Sequence, residues 1–265
     1  MIIVSFTTLP SRISYIFPII ENICVKQTIK PDKLILYIPN VLYRTNQEYI
    51  IPDDIIELQN KFDIFEIRRC EDYGPITKLL PATNDFKNPN DIIITIDDDV
   101  LLEIHAIEEL LDSHNNYPNS IIGFIGIDEN NQYLHSEYLF NYSYQERLIY
   151  KVSLLGGYRS ILFPRNLILD SFHKSIIDIN NLHKQNNYLF HMLDDDYFLH
   201  KYFNKINMIV CGTKYPHKLD KIYDLSLLNF KFMQYNNNDA LNDNNNTQNN
   251  LTLSRNLINN FFNNV

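Results

Sequence analysis

The stretch Ile92-Ile93-Ile94-Thr95-Ile96 runs straight into Asp97-Asp98-Asp99 and Val100. The apolar run is too short and too evenly apolar for an amphipathic helix, and it reads as a strand buried on both faces. Such a strand belongs to an α/β sheet, and ligands bind beyond the carboxyl ends of strands in such sheets. Three adjacent carboxylates there repel one another unless a cation or a donor network offsets them. One Asp would suit a solvated acidic turn. Three in a row favour a metal site.

The chain of 265 residues is long enough to bury a substantial core, and a hydrophobic content of 45% excludes a chain disordered throughout. A net charge of −9 argues against general binding to the phosphate backbone, so no nucleic-acid partner is expected. A bound cation would still let an acidic surface meet a phosphate-bearing small molecule. Cys24, Cys70 and Cys211 are far apart and form neither a zinc spacing nor a disulfide framework, which favours a reducing compartment. No stretch reaches the roughly 18–20 apolar residues of a membrane span. Met1 to Phe6 reads as a first strand without the basic region of a signal peptide, so a cytoplasmic location is expected.

Along the chain, strand 2–6 breaks into Thr7-Thr8-Leu9-Pro10-Ser11-Arg12, and Ile13, Ile16, Phe17, Ile20 and Ile23 follow at helical spacing. Hydroxyls at a helix start suit a phosphate. Strands are expected over 33–38, 65–67, 120–127, 160–164 and 207–211, and a loop plus a helix over 40–63. Helices are expected from near Ile76, over Ile104 to His114, and from Asp195. Thr77 and Lys78 then fall in a first helical turn, where the dipole disfavours a Lys unless an anion is near or its stem covers Leu79. Residues 128–150, rich in Tyr and polar groups, read as hairpins or a lid. Gly156-Gly157 permits either a close backbone approach or a plain hairpin turn.

A second acidic cluster, Asp194-Asp195-Asp196, opens the later helix. An N-cap and the helix dipole explain one or two of these residues, but not a third. His217 follows the last strand beside Pro216. Residues 1–235 are taken as one domain and 236–250 as a low-complexity, Asn-rich linker left disordered. Residues 251–265 form a short amphipathic helix that either docks back on the domain or mediates homo-oligomer formation.

Together these segments resemble the inverting, family 2-like nucleotide-sugar glycosyltransferases of the GT-A fold. The resemblance rests on Thr7 to Arg12, on Asp72-Tyr73-Gly74-Pro75-Ile76-Thr77-Lys78, on Asp97-Asp98-Asp99 as a DxD motif, on Gly156-Gly157 before a Leu-Phe-Pro strand, and on the Asp195-Asp196 pair. It implies a Rossmann-like α/β fold, a mixed and mainly parallel sheet flanked by helices. It also implies transfer from a nucleoside-diphosphate sugar, with UDP as the expected nucleotide, to a hydroxyl of a glycan or protein acceptor. Thr7, Thr8, Arg12, Asp72, Lys78, Asp97 and Asp98 would contact the donor, with Asp98 alternatively structural. Asp97, Asp99 and His217 would hold Mn²⁺ or Mg²⁺, the choice that hard oxygen ligands favour. Asp196 would be the catalytic base, with Asp195 orienting the acceptor; a one-residue slip would exchange them. The Gln-x-x-Arg-Trp segment of processive synthases is absent, and the chain has no Trp, so a single addition is expected.

Three other readings stay open from the sequence, one of them a nucleotidyltransferase with a related sheet, whose glycine-rich basic loop near the N-terminus is missing here. A haloacid-dehalogenase-type phosphatase or phosphotransferase also places Asp-x-Asp after an apolar strand, though usually on the opening strand. A non-catalytic cation- or sugar-binding module would use the same carboxylates without turnover.

Overall fold

The computed structural model describes residues 1–43, 45–136, 139–141, 146–157, 159–185, 194–212 and 245–263. Its frame is an eight-stranded sheet, whose strands in chain order are β1 (Ile2–Phe6), β2 (Lys33–Pro39), β3 (Phe65–Cys70), β4 (Ile92–Thr95), β5 (Ser120–Gly123), β6 (Ile149–Val152), β7 (Ile161–Pro164) and β8 (Asn207–Cys211). In space the order is β6-β8-β5-β7-β4-β1-β2-β3. The β4-β1, β1-β2, β2-β3 and β8-β5 pairs are parallel, whereas β7 runs antiparallel to both neighbours and β6 antiparallel to β8. The sheet is thus mixed and mainly parallel.

Burial on both faces explains the continuous apolar runs. Successive residues of one strand enter opposite cores: Val4 and Ile94 pack on one face, Ile3 and Ile93 on the other. The first face is covered by the helical segment from Ile13 to Lys26, by α2 (Asp53–Lys61) and by α4 (Ala106–Asn116). The second is covered by α3 (Leu80–Asp85), α5 (Ser171–Gln185), α6 (Asp195–Tyr202) and α7 (Asn245–Asn263). Among the described residues, no helix is long and apolar enough to cross a membrane.

Several elements differ from the periodicity-based reading. The segment after Arg12 is not one helix but a 3₁₀ turn (Ile13–Tyr15), then α1 (Phe17–Glu21), then a π turn (Asn22–Lys26). Pro18 sits at the start of α1, where its missing N–H costs nothing. The expected strand 120–127 breaks at Phe124, and Ile125–Ile127 joins a separate small sheet with Leu154–Leu155 and Tyr133–His135. Gly126 permits that approach, because a Cβ there would meet Val152 at 2.8 Å and the Leu154 carbonyl at 2.9 Å. Within 128–150 the described short strands pair as hairpins, Phe140–Asn141 with Glu146–Arg147 among them.

The helix expected near Ile76 begins as a 3₁₀ turn over Gly74–Lys78, followed by α3. Lys78 therefore closes that turn instead of opening a helix, and the dipole argument for an anion does not apply. α5 was not anticipated at all. α7 begins at Asn245, inside the stretch taken as linker, because its apolar side packs on α5 and α6 where intrinsic propensity alone would not sustain a helix.

Candidate active site

The carboxyl ends of β1 and β4 lie side by side, since Ser5 pairs with Thr95. The chain leaving β1 therefore meets the chain leaving β4. The Thr8 hydroxyl donates to Asp98 Oδ2 at 2.5 Å. Arg12 Nη1 donates to Asp98 Oδ1 at 2.9 Å and to Asp99 Oδ2 at 3.1 Å. Asp98 is buried, with both oxygens engaged, and it ties the two loops together. Burial alone would lower the Arg12 pKa, but Asp98 and Asp99 outweigh it and raise the value. Asp99 is pushed up to about 6 by the partial desolvation of its loop and by its neighbours Asp98 and Asp97, against the pull of Arg12, although one side of the group stays open to solvent.

Asp97 turns the other way. The Lys78 ammonium donates to Asp97 Oδ1 at 2.9 Å and lies 3.2 Å from Asp195 Oδ2. Lys78 is buried, and its backbone carbonyl accepts the Ser5 hydroxyl at 2.6 Å, which fixes the turn beneath β1. Burial would lower its pKa, yet Asp195, Asp97 and Asp196 raise it well above the ordinary lysine value. The ammonium is thus charged, and it joins the two acidic clusters into one site.

The second cluster stands at the first turn of α6. Asp194 is its N-cap, accepting the Tyr197 N–H at 2.9 Å. The next two side chains are thereby released from capping. Asp196 accepts the Gly157 N–H with both oxygens, each at 3.1 Å. A Cβ on Gly157 would meet Asp196 Oδ1 at 2.8 Å and Lys78 Nζ at 3.2 Å, so any side chain here would push the ends of these two functional groups aside. Behind Asp196 lies a small apolar cavity walled by Leu155, Phe163, Leu199 and Met208. Burial and the adjacent Asp195 push Asp196 up to about 8, against Lys78 and the Gly157 N–H. Asp195 is also raised, first by burial, and its Oδ2 has no hydrogen bond of good geometry despite its closeness to Lys78.

The remaining expected residues sit differently. The Thr7 hydroxyl donates to the Tyr37 carbonyl at 2.8 Å and so joins β1 to β2. Asp72, beyond β3, accepts the Tyr43 N–H at 2.7 Å and the Gly74 N–H at 2.8 Å, so it shapes the edge of the site through backbone contacts. His217 lies outside the described residues. Gly157 carried a signal in the sequence as half of a glycine pair, but only its contact with Asp196 reveals its part.

Among the described residues, no three His, Cys, Asp or Glu side chains converge into a closed metal cage. Asp97 and Asp99 are the hard oxygen donors at this edge; among the described residues Asp99 gives one oxygen to Arg12, and Asp97 turns to Lys78 with one of its own.

No protein-family model matches the chain, and no curated protein matches it in sequence. Solved structures do. Residues 1–349 of S. aureus TarS match with a TM-score of 0.50 and 11% identity, over 99% of this chain and 70% of that one. The same TarS segment in complex with UDP matches at 0.48 and 13%, over 79% and 57%. The 2-C-methyl-D-erythritol 4-phosphate cytidylyltransferase (IspD) of Francisella tularensis matches at 0.44 and 15%, over 87% and 98%. The likeness to TarS is one of fold: this chain has a GT-A-like, Rossmann-like α/β architecture.

Proposed function

We propose that this chain is a metal-dependent glycosyltransferase that moves a sugar from a nucleoside-diphosphate sugar, UDP being the expected nucleotide, to an acceptor hydroxyl with inversion. The observation that carries the reading is the position of Lys78, within 3.2 Å of both Asp97 and Asp195. One cation thereby joins Asp97 and Asp195, the carboxylates this reading assigns to donor and acceptor, and a transfer that gathers two substrates at one place is favoured by such an arrangement.

In this reaction the bond between the sugar C1 and the diphosphate oxygen breaks, and a bond from C1 to the acceptor oxygen forms on the opposite face. The acceptor hydroxyl proton passes to Asp196, and the electron pair of the broken bond leaves with the diphosphate. Asp97 and Asp99 would hold Mg²⁺ or Mn²⁺, which when bound supplies charge neutralisation to the departing diphosphate. Arg12 and Thr8 fix the loop bearing those carboxylates. Lys78 pulls against the burial that raises Asp195, and Asp195 orients the acceptor hydroxyl. The Gly157 N–H aims Asp196.

The test is a thermal-stability scan with UDP-, GDP- and CDP-sugars, with and without Mn²⁺, followed by a transfer assay. A metal-dependent shift with one nucleotide sugar, abolished in Asp99→Ala, is expected. Asp196→Ala should keep that shift and lose transfer. No shift with any nucleotide in either metal state would overturn the proposal, and so would release of pyrophosphate from a nucleoside triphosphate in place of sugar transfer.

A further inference from the structure

The acidic run at α6 contains one carboxylate that faces away from the site, and its partner comes from the far end of the chain. Asp194 Oδ1 accepts the Tyr197 N–H, while its Oδ2 accepts Arg255 Nε of α7 at 2.6 Å. The Arg255 guanidinium also lies over the Tyr197 ring, 5.2 Å from its centroid. One turn further along α7, Asn259 Oδ1 accepts the Tyr197 hydroxyl at 2.8 Å. α7 is seated behind these contacts by the fully buried Ile258, by Phe262 against Phe198 at 5.5 Å between centroids, and by Ser254 within 3.1 Å of His183 Nε2 on α5.

We propose that Arg255 is a positioning residue: by holding Asp194 it fixes the first turn of α6 and so places Asp195 and Asp196 against Lys78 and the Gly157 N–H. The inference rests on the reading of the site given above. Two physical reasons support it. The backbone of Asp195 and Asp196 continues directly from the Asp194 cap, so any rotation of the cap moves both carboxylates. Asp196 meets Gly157 through two contacts of 3.1 Å, which leaves little room for such rotation. The second reason is charge. Asp194 sits beside Asp195, and after burial and Asp97 its negative charge adds to what holds the Asp195 pKa up. Arg255 offsets Asp194 from outside, which leaves Lys78 to serve Asp195, Asp196 and Asp97. A helix docked only for packing needs Ile258 and Phe262, but not a guanidinium on a helix cap.

The full-length chain is compared as wild type, Arg255→Ala, Arg255→Lys and Asn259→Ala. Asn259→Ala cuts another bond between α7 and α6 but leaves Asp194 held. The first readout is hydrogen–deuterium exchange at the Gly157 amide, which needs no activity. Arg255→Ala should speed exchange there, Arg255→Lys should restore protection in part, and Asn259→Ala should leave it unchanged. The second readout is steady-state transfer with the donor identified above. Arg255→Ala should lower kcat about ten- to a hundredfold with little change in donor KM, and Arg255→Lys should recover part of the loss. Equal effects of Arg255→Ala and Asn259→Ala on exchange and kcat would reduce Arg255 to a docking contact and overturn the inference. An unchanged Gly157 amide in Arg255→Ala would do the same. If the wild type transfers no sugar, the proposed reaction fails, while the exchange result still decides the part played by Arg255.

Discussion

Asp196 faces the backbone of Gly157 so that both carboxylate oxygens accept the same N–H, each at 3.1 Å, with an apolar cavity behind the carboxyl group. The contact aims the group without neutralising it. A side chain on residue 157 would have to occupy the space this arrangement uses.

Gly157→Ala is therefore expected to displace Asp196. The added Cβ falls 2.8 Å from Oδ1 and 3.2 Å from Lys78 Nζ, both ends of flexible side chains, so the carboxylate shifts while the fold accommodates the methyl group. The expected outcome is a drop in transfer of at least about tenfold at unchanged donor binding, which corresponds to roughly 1.4 kcal/mol in the barrier. Steady-state kinetics beside a donor-binding isotherm checks the split; loss of both together would show that the residue serves folding only.

The pH dependence follows from the raised carboxyls. Asp196 lies at about 8 in the folded state against an ordinary 3.8. Between those values the native protein keeps a proton that the unfolded chain has released, so stability falls as pH rises through this window. Above about pH 8 both states are ionised and the loss is complete. Urea unfolding of the metal-free protein should show a midpoint that declines across this range, and Asp196→Asn should flatten the decline. The same proton must leave before Asp196 acts as a base, so transfer should rise with pH toward a midpoint near 8 in the free enzyme. A flat stability profile in the wild type would exclude the buried, protonated state.

Much of the frame was legible from the sequence because it depends on local period. β4 announced itself through Ile92 to Ile96, and the acidic run placed ligand chemistry at its end. α5 was legible by the same rule, with Phe172, Ile176, Ile179 and His183 at helical spacing and polar residues between them, and it was missed although the signal was present. What was not legible depends on contacts between distant segments. Lys78 was assigned to a helix start, and only the fold brings it between Asp97 and Asp195. The triple Asp at 194–196 could not be divided by inspection. Its division into one cap and two site residues comes from the Tyr197 N–H, from Arg255 and from Gly157. Arg255 stands in an Asn-rich tail, and nothing in its neighbours points to Asp194.

Lys78 is the cation on which both clusters depend. Lys78→Met keeps much of the volume of the stem but leaves Asp97 and Asp195 without their partner. Asp97 keeps a side open to solvent, so the loss falls mainly on buried Asp195, whose unpartnered carboxyl costs about 1–3 kcal/mol. A denaturant midpoint should record that loss. Adding Asp195→Asn should return part of it, since the double variant no longer buries the uncompensated charge. Simple additivity of the two changes would disprove the coupling between Lys78 and Asp195.

Asp98 and Asp99 are neighbours with opposite expected phenotypes. Asp98 is buried, and it accepts from Thr8 and Arg12, so Asp98→Ala strands the Thr8 hydroxyl and leaves Arg12 with Asp99 as the remaining tie between the loops after β1 and β4. Removing a buried acceptor of charge-assisted bonds costs about 1–3 kcal/mol or more, so thermal stability should fall before any ligand is added. Asp99 is exposed by contrast, with a side chain 44% accessible, and it shares Arg12 with Asp98. Asp99→Ala should therefore leave the metal-free melting temperature almost unchanged, while the additional stabilisation from Mn²⁺ with a nucleotide sugar disappears. The comparison separates a carboxylate that builds the site from one that meets the cation. It fails if Asp98→Ala retains full stability, or if Asp99→Ala still binds the nucleotide sugar in a metal-dependent way.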